Sequence, residues 1–169
     1  FDEKKANRPI QFIERYCKHS KGKWAGKPVI LELWQKAHIQ ALYGFVDKET
    51  GLRKYRKLVL FVGKKNGKST EGSVATQKDQ AKIIWEEAKR MAAKSPALNK
   101  RTRRLVNGIF YDKTESLFKA VASETDSLDG LNGSAILADE IWAWRDKGLL
   151  DIMADSISDR EQPIIFEFS

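Results

Sequence analysis

The sequence predicts an α/β fold with a mostly parallel central sheet flanked by helices, and three observations carry that prediction. Short apolar runs with strand character alternate along the chain with longer segments of helical period. One such run, "RKLVLFV", empties into a glycine- and lysine-rich loop. Another, "SAILADE", empties into two adjacent carboxylates. Parallel strands joined by crossovers bring such strand ends to one edge of a sheet, which is where open α/β sheets bind ligands.

Taken in order, "RPIQFIERYCKHS" places Ile10, Ile13, Tyr16 and Cys17 on one helical face, with Pro9 near the helix start. "GKWAGKP" reads as loop. "ELWQKAHIQALYGF" repeats the helical pattern through Leu33, Trp34, Ala37, Ile39, Leu42 and Tyr43, with Gly44 as its stop. "DKETG" is a turn, and "RKLVLFV" is a compact apolar run bounded by Gly63, expected to be a buried strand. After the loop, "SVATQ" has the look of a short strand. "KDQAKIIWEEAKRMAAKS" is a helix expected to turn Ile83, Ile84, Ala88 and Met91 inward. "SPALNKRTRR" reads as a basic link, and "NGIFY" and "FKAVAS" as strands. "SAILADE" is a strand, "DKGLLDIMADSISDR" an amphipathic helix and "QPIIFEF" a last buried strand. The chain has no repeats and no low-complexity tract.

With 169 residues and 41% hydrophobic content the chain can bury one ordinary core. It starts at Phe1 rather than Met, which suggests a fragment or a processed chain. "FDEKKANRPIQF" is charged and lacks the apolar core of a signal peptide. No apolar run approaches the ~18 residues of a membrane span. Cys17 is a lone cysteine, so neither an internal disulfide nor a cysteine zinc site is expected, and a reducing, cytosolic setting follows. The net charge of +8 hides a division: residues 1–104 hold 26 Lys+Arg against 10 Asp+Glu, whereas residues 105–169 hold 5 against 13. A basic first part suits a polyanion such as a nucleotide or nucleic acid, although a lysine-rich solvated face would have the same charge.

The loop "GKKNGKST" approximates the phosphate-binding pattern G-x-x-x-x-G-K-[ST]. Aligned on Gly67, Lys68 and Ser69, the pattern's first position is Val62, and Gly63 falls one place late. Gly67 allows the backbone close to phosphate, Lys68 can reach the β- and γ-phosphates, and Ser69 can ligate magnesium. Lys64 and Lys65 add positive charge early in the loop, and Asn66 and Thr70 complete it. The bland alternative is a lysine-rich turn. In "SAILADE", Asp139 could hold magnesium through water and Glu140 could orient and polarise an attacking water; the bland alternative is a helix N-cap. Two matched motifs in the right order favour a P-loop NTPase that binds ATP or GTP with Mg²⁺.

One feature conflicts with that pattern. A phosphate loop should open a helix, because its amides bind phosphate when aligned at a helix N-terminus. A parallel crossover also needs about 10 residues or more. Glu71 and Gly72 follow Ser69 too soon for either, so residues are expected to be missing between Thr70 and Glu71.

Together these motifs resemble the ATPase domain of the large terminase subunit, the DNA-packaging motor of tailed bacteriophages. The resemblance runs through "KWAGKPVILELWQKAHIQALYGF", "GKKNGKST", "VATQKDQAKIIWEEAKRMAAKSPAL", "SLDGLNGSAILADEIWAW" and "DREQPIIFEFS". That family has a deviant phosphate loop with a basic residue near its start, which Lys64 matches. The resemblance implies an additional-strand P-loop ATPase occupying residues 1–169, with an N-terminal helical, adenine-binding segment over 1–50 and the P-loop core over 51–169. It implies that Trp34 and Gln35 form the adenine-recognition segment and that Lys64 senses the γ-phosphate. Lys68 and Ser69 would take the phosphate and magnesium roles, Asp139 the magnesium-side acid and Glu140 the catalytic carboxylate. Ser169 would begin the coupling motif.

The implied partners are double-stranded DNA, neighbouring copies in a ring on the portal of the procapsid, the small terminase subunit and a C-terminal nuclease domain. No membrane is implied, and the setting is the cytoplasm of the infected host. No DNA cleavage is expected of these residues. The family's trans-acting arginine has no match, since its place holds Asp129; Arg101, Arg103, Arg104, Arg145 and Arg160 are the substitutes the chain offers. Two rival readings are a helicase-like nucleic-acid ATPase and a nucleic-acid-binding scaffold with an inactive nucleotide site.

Overall fold

The computed structural model describes residues 1–61, 78–106, 108–121, 133–138 and 148–168, with the side chains of 78–84 left aside. The chain divides into two compact units, Phe1–Tyr55 with Glu86–Lys119, and Arg56–Trp85 with Ala120–Ser169.

The first unit opens with helix α1 (Glu3–Tyr16), which starts well before the expected point. Asp2 caps it by accepting from the Lys5 amide at 2.9 Å, so Pro9 lies inside the helix rather than at its first turn. The cap satisfies an orphan donor and favours the earlier start over the one proline suggested. Ile10 is buried, and Ile13 and Cys17 pack beside it as the periodicity requires. Residues 29–31 run extended, with Val29 and Leu31 buried and Ile30 exposed, the period-two pattern of a strand-like segment. Glu14 secures this segment: one of its carboxylate oxygens accepts from the Leu31 amide at 3.1 Å and pairs with Lys36 at 2.7 Å. The bond from Lys36 holds the Glu14 carboxyl below its ordinary value.

Helix α2 (Leu33–Gly44) ends at Gly44 as expected, but it buries a different face. Its buried line is Gln35, Ile39 and Leu42, while Leu33 is 83% exposed and Ala37 is also exposed. A stripe anchored on Ile39 and Leu42 brings position 35 inward, so polarity yields to geometry there. The 47–51 turn forms as read, with Asp47 accepting from the amides of Glu49 and Thr50.

Helix α3 (Lys78–Lys94) matches the helical prediction. Its buried residues are Trp85 and Ala92, with Met91 packed on the first unit's core. Of the expected inward line, Met91 packs on that core and Ala88 is partly buried, whereas the side chains of Ile83 and Ile84 lie outside the described ones. The "basic link" is ordered structure. Ser95 caps helix α4 (Pro96–Arg101) with proline at its start, and strand β2 (Thr102–Arg104) follows directly. Strand β2 pairs antiparallel with β3 (Ile109–Tyr111), and β3 with β4 (Ser116–Phe118). These strands form a separate meander because the connections between them are too short for a parallel crossover. At Gly108 a Cβ would meet the end of the Leu117 side chain at 2.6 Å and the Phe118 carbonyl oxygen at 3.1 Å, so a larger residue there would require Leu117 to shift.

Cys17 supplies a prediction about this unit. Burial pushes its thiol above the ordinary value of 9.0, against the smaller opposing effect of Lys18. The thiolate is the reactive form, so alkylation near pH 7.5 should be about tenfold slower in the folded protein than in urea. Equal rates in the two conditions would contradict this placement of Cys17.

In the second unit, strands β1 (Lys57–Leu60), β5 (Ala135–Ala138) and β6 (Ile164–Phe168) form a parallel sheet in the order β1-β6-β5. Helix α5 (Gly148–Asp155) packs Leu149 and Met153 with Ile136, Ala138 and Ile157 into this unit's core. The helix is shorter than expected. Ser156 and Ser158 turn their hydroxyls onto the carbonyls of Met153 and Asp155, which ends it while Ile157 stays buried. Strand β1 was expected to be buried, yet Val59 is 45% exposed. Among the described strands β1 is an edge, with a neighbour on one side.

Candidate nucleotide site

Both chemical motifs follow strands of the parallel sheet in the sequence. Leu60 at the end of β1 pairs with Phe168, and Ala138 at the end of β5 pairs with Glu167. The two outer strands therefore end level with the end of β6, at one carboxyl edge. With strands spaced ~4.8 Å, the chain leaves β1 and β5 about 10 Å apart across that edge. Strand β5 is pinned there because Ile136 and Ala138 are buried in the core. The strand leading toward Gly63 and the strand leading into Asp139 are not neighbours, since β6 lies between them.

Gly63, Lys64, Lys65, Asn66, Gly67, Lys68, Ser69 and Thr70 lie outside the described residues, as do Asp139, Glu140, Arg145 and Ser169. The expected break between Thr70 and Glu71 and the strand "SVATQ" lie outside them too. For both motifs, the described residues are those of the strands that precede them in the sequence. Among the described residues no group of three or more His, Cys, Asp or Glu could hold a metal ion. No described helix is long and apolar enough to cross a membrane.

Gln35 and Trp34 belong to the first unit. Gln35 is 5% exposed, and its Oε1 accepts from the Glu32 amide at 2.8 Å, closing the first turn of α2. That bond fixes the amide's orientation and leaves Nε2 as its donor. Trp34 is partly exposed, with its ring centroid 5.6 Å from that of His38.

Four of the candidate arginines are described, each with a partner within its own unit. Arg103 binds Asp112 at 2.7 Å and Arg104 binds Asn99. Arg101 donates to the Ala97 carbonyl and Arg160 to that of Gly133.

One residue the sequence reading passed over is Glu167, which is 6% exposed on the central strand. It stands in register between Val59 and Ala138 and forms an ion pair with Lys57 without hydrogen-bond alignment. This pair ties β6 to β1 close to the carboxyl edge. The signal was present as a lone acid inside the buried run "IIFEF", where a charge requires a partner.

The family described as the terminase large subunit, ATPase domain, matches residues 71–167 of the chain, more than half its length. No curated protein matches it. The crystal structure of the HK97 bacteriophage large terminase is similar, with a TM-score of 0.79 and 22% identity over 97% of this chain. At that identity the likeness speaks for the fold, and this chain spans 37% of the length of that one. On the family match and the shared fold, the chain belongs to the terminase large-subunit ATPase-domain family.

Proposed function

We propose that this chain hydrolyses ATP with Mg²⁺ as the motor domain of a viral terminase large subunit, driving double-stranded DNA into a procapsid. The observation that carries this is the strand order β1-β6-β5. A strand inserted between the phosphate-loop strand and the acidic strand is the additional-strand arrangement of P-loop ATPases, and it supports a catalytic carboxylate opposite the phosphate loop.

On this reading Gly63 and Gly67 let the loop backbone approach phosphate, and Lys65, Asn66 and Thr70 line it. Lys68 and Lys64 neutralise charge growing on the γ-phosphate oxygens. Ser69 and Asp139 offer hard oxygen donors, the set that suits magnesium and not a softer metal. Magnesium, when bound there, would neutralise charge between the β- and γ-phosphates. Glu140 holds the attacking water in line and takes its proton. Trp34 and Gln35 contact adenine, with Gln35 donating through Nε2. Ser169, directly after β6, passes the state of the site to the rest of the motor. The trans-acting arginine comes from a neighbouring copy in the ring, and Arg101, Arg103, Arg104, Arg145 and Arg160 are the substitutes this chain offers for it. The small subunit, the portal and a C-terminal nuclease domain complete the assembly in the host cytoplasm.

Binding of a fluorescent ATP analogue with magnesium tests the nucleotide site directly. Lys68→Ala should weaken it by about tenfold or more, since the charge-assisted bonds to phosphate are lost. Equal affinity in the wild type and Lys68→Ala would remove the phosphate loop from the proposal.

A further inference from the structure

The segment between α1 and residue 29 is a built hairpin. Lys18 and Pro28 bridge antiparallel, the His19 amide donates to the Lys27 carbonyl at 2.9 Å, and the Gly26 amide returns to the His19 carbonyl at 2.8 Å. Its tip is a single 3₁₀ turn, Gly22–Trp24. Gly22 and Gly26 have φ of +66° and +80°, which L side chains rarely adopt, so the tight path depends on them. Ser20 bonds to Glu87, and Lys21 pairs with Glu87 at 3.4 Å, fastening one side of the hairpin to α3. Burial opposes the charge on Glu87, yet the bonds from Ser20, Arg90 and Lys21 hold its carboxyl below the ordinary value of 4.5. Its negative charge is thus already committed to those three partners.

The hairpin's outer face is cationic and aromatic. Residues 17–28 include Lys18, Lys21, Lys23 and Lys27 and no acidic residue. All of residues 21–28 are exposed, and Trp24 keeps 51% of its surface in solvent. Lys23 and Lys27 sit over the Trp24 ring, with Nζ 5.4 and 4.8 Å from its centroid. Among the described residues no carboxylate pairs with either of them. Cation–π attraction tethers both ammonium groups to this one ring, which keeps two positive charges on the exposed hairpin tip ready for an anion.

We propose that this hairpin grips the phosphodiester backbone of nucleic acid, with Lys23 and Lys27 as two phosphate contacts and Trp24 as the platform that orients them. Compact ammonium groups without a bidentate fork suit sequence-independent backbone contact. The ring already carries both lysines, so it serves them and not a stacked base. Duplex DNA, with about one charge per 1.7 Å of axis, is the favoured polymer, and that choice alone rests on the proposed motor function.

The test is binding of a labelled DNA duplex, and of a single strand of the same length, across a salt series. The variants are Lys23→Gln/Lys27→Gln, Trp24→Ala, and a charge-matched control, Lys48→Gln/Lys113→Gln. The hairpin double variant should bind the duplex about tenfold more weakly and lower the slope of log affinity against log salt by roughly 2. Trp24→Ala should weaken duplex binding several-fold. The proposal is overturned if the hairpin pair behaves as the control pair does, if the wild type binds no DNA, or if Trp24→Ala loses single-strand binding alone. ATP turnover without DNA, measured on the same variants, should match the wild type. A protein that binds DNA through this hairpin yet hydrolyses no ATP, even with DNA and neighbouring copies present, would refute the motor reading and leave the hairpin proposal intact.

Discussion

Glu140→Gln should lose magnesium-dependent ATP turnover by about 10³-fold while keeping nucleotide affinity within a few-fold of the wild type. The substitution keeps the side chain's size and one hydrogen-bonding oxygen. It removes the negative charge and the ability to take a proton from water, so a residue that acts only in the transition state should affect kcat and spare binding. The loss corresponds to about 4 kcal/mol of barrier. Asp139→Asn separates the two adjacent carboxylates. As a metal-side acid its loss should raise the magnesium concentration needed for half-maximal turnover, so added magnesium should rescue it in part, which Glu140→Gln should not show. Turnover retained in Glu140→Gln would place the catalytic carboxylate elsewhere. A wild type that binds nucleotide without turning it over would favour the inactive-scaffold alternative, unless added DNA or neighbouring copies restored hydrolysis.

The largest expected stability effect is at Phe168, which is 1% exposed at the end of the central strand. It pairs in register with Leu60, and its ring stacks parallel to that of Phe166, with centroids 6.2 Å apart. Phe168→Ala removes a fully buried ring from a strand held on both sides, so the neighbours cannot collapse easily into the space. The expected cost is about 3–5 kcal/mol, a drop in melting temperature of roughly 6–20 °C for a chain of this size. Phe12→Ala is the comparison, because Phe12 is 48% exposed on α1 and should cost well under half as much. Similar melting temperatures for the two variants would show that β6 does not anchor the sheet. Phe168 also immediately precedes Ser169, so nucleotide binding by Phe168→Ala, measured well below its melting point, reports whether the sheet edge still presents its loops.

Much of this was legible locally. "KLVL", "AILA" and "IIFEF" are strands within the runs expected, and the helices at 33–44 and 78–94 begin and end close to where period and caps place them. The turn at 47–51 follows from Asp47 and Gly51, whose bonds are local. Other features depended on competing local signals. Pro9 suggested a helix start that the Asp2 cap moved earlier, and "SPALNKRTRR" hid a capped helix and a strand behind its charge. At Gln35 and Leu33 polarity pointed the wrong way, because the burial of Ile39 and Leu42 sets which face of α2 turns inward.

For the candidate site, residue identity supplied the chemistry: a lysine- and glycine-rich loop after one strand and paired carboxylates after another, motifs that short-range sequence can carry by itself. Sequence by itself also determined the periodicities that make each strand and helix. Only the tertiary structure decided that β6, more than a hundred residues after β1, inserts between the two motif-bearing strands. It also decided that Glu167 is buried against Lys57 and that Lys23 and Lys27 share one exposed tryptophan. The physical reason is that backbone period and capping are encoded within a few residues. Strand order, and which charges meet, depend instead on the free energy of long-range packing, to which each local segment contributes only a face.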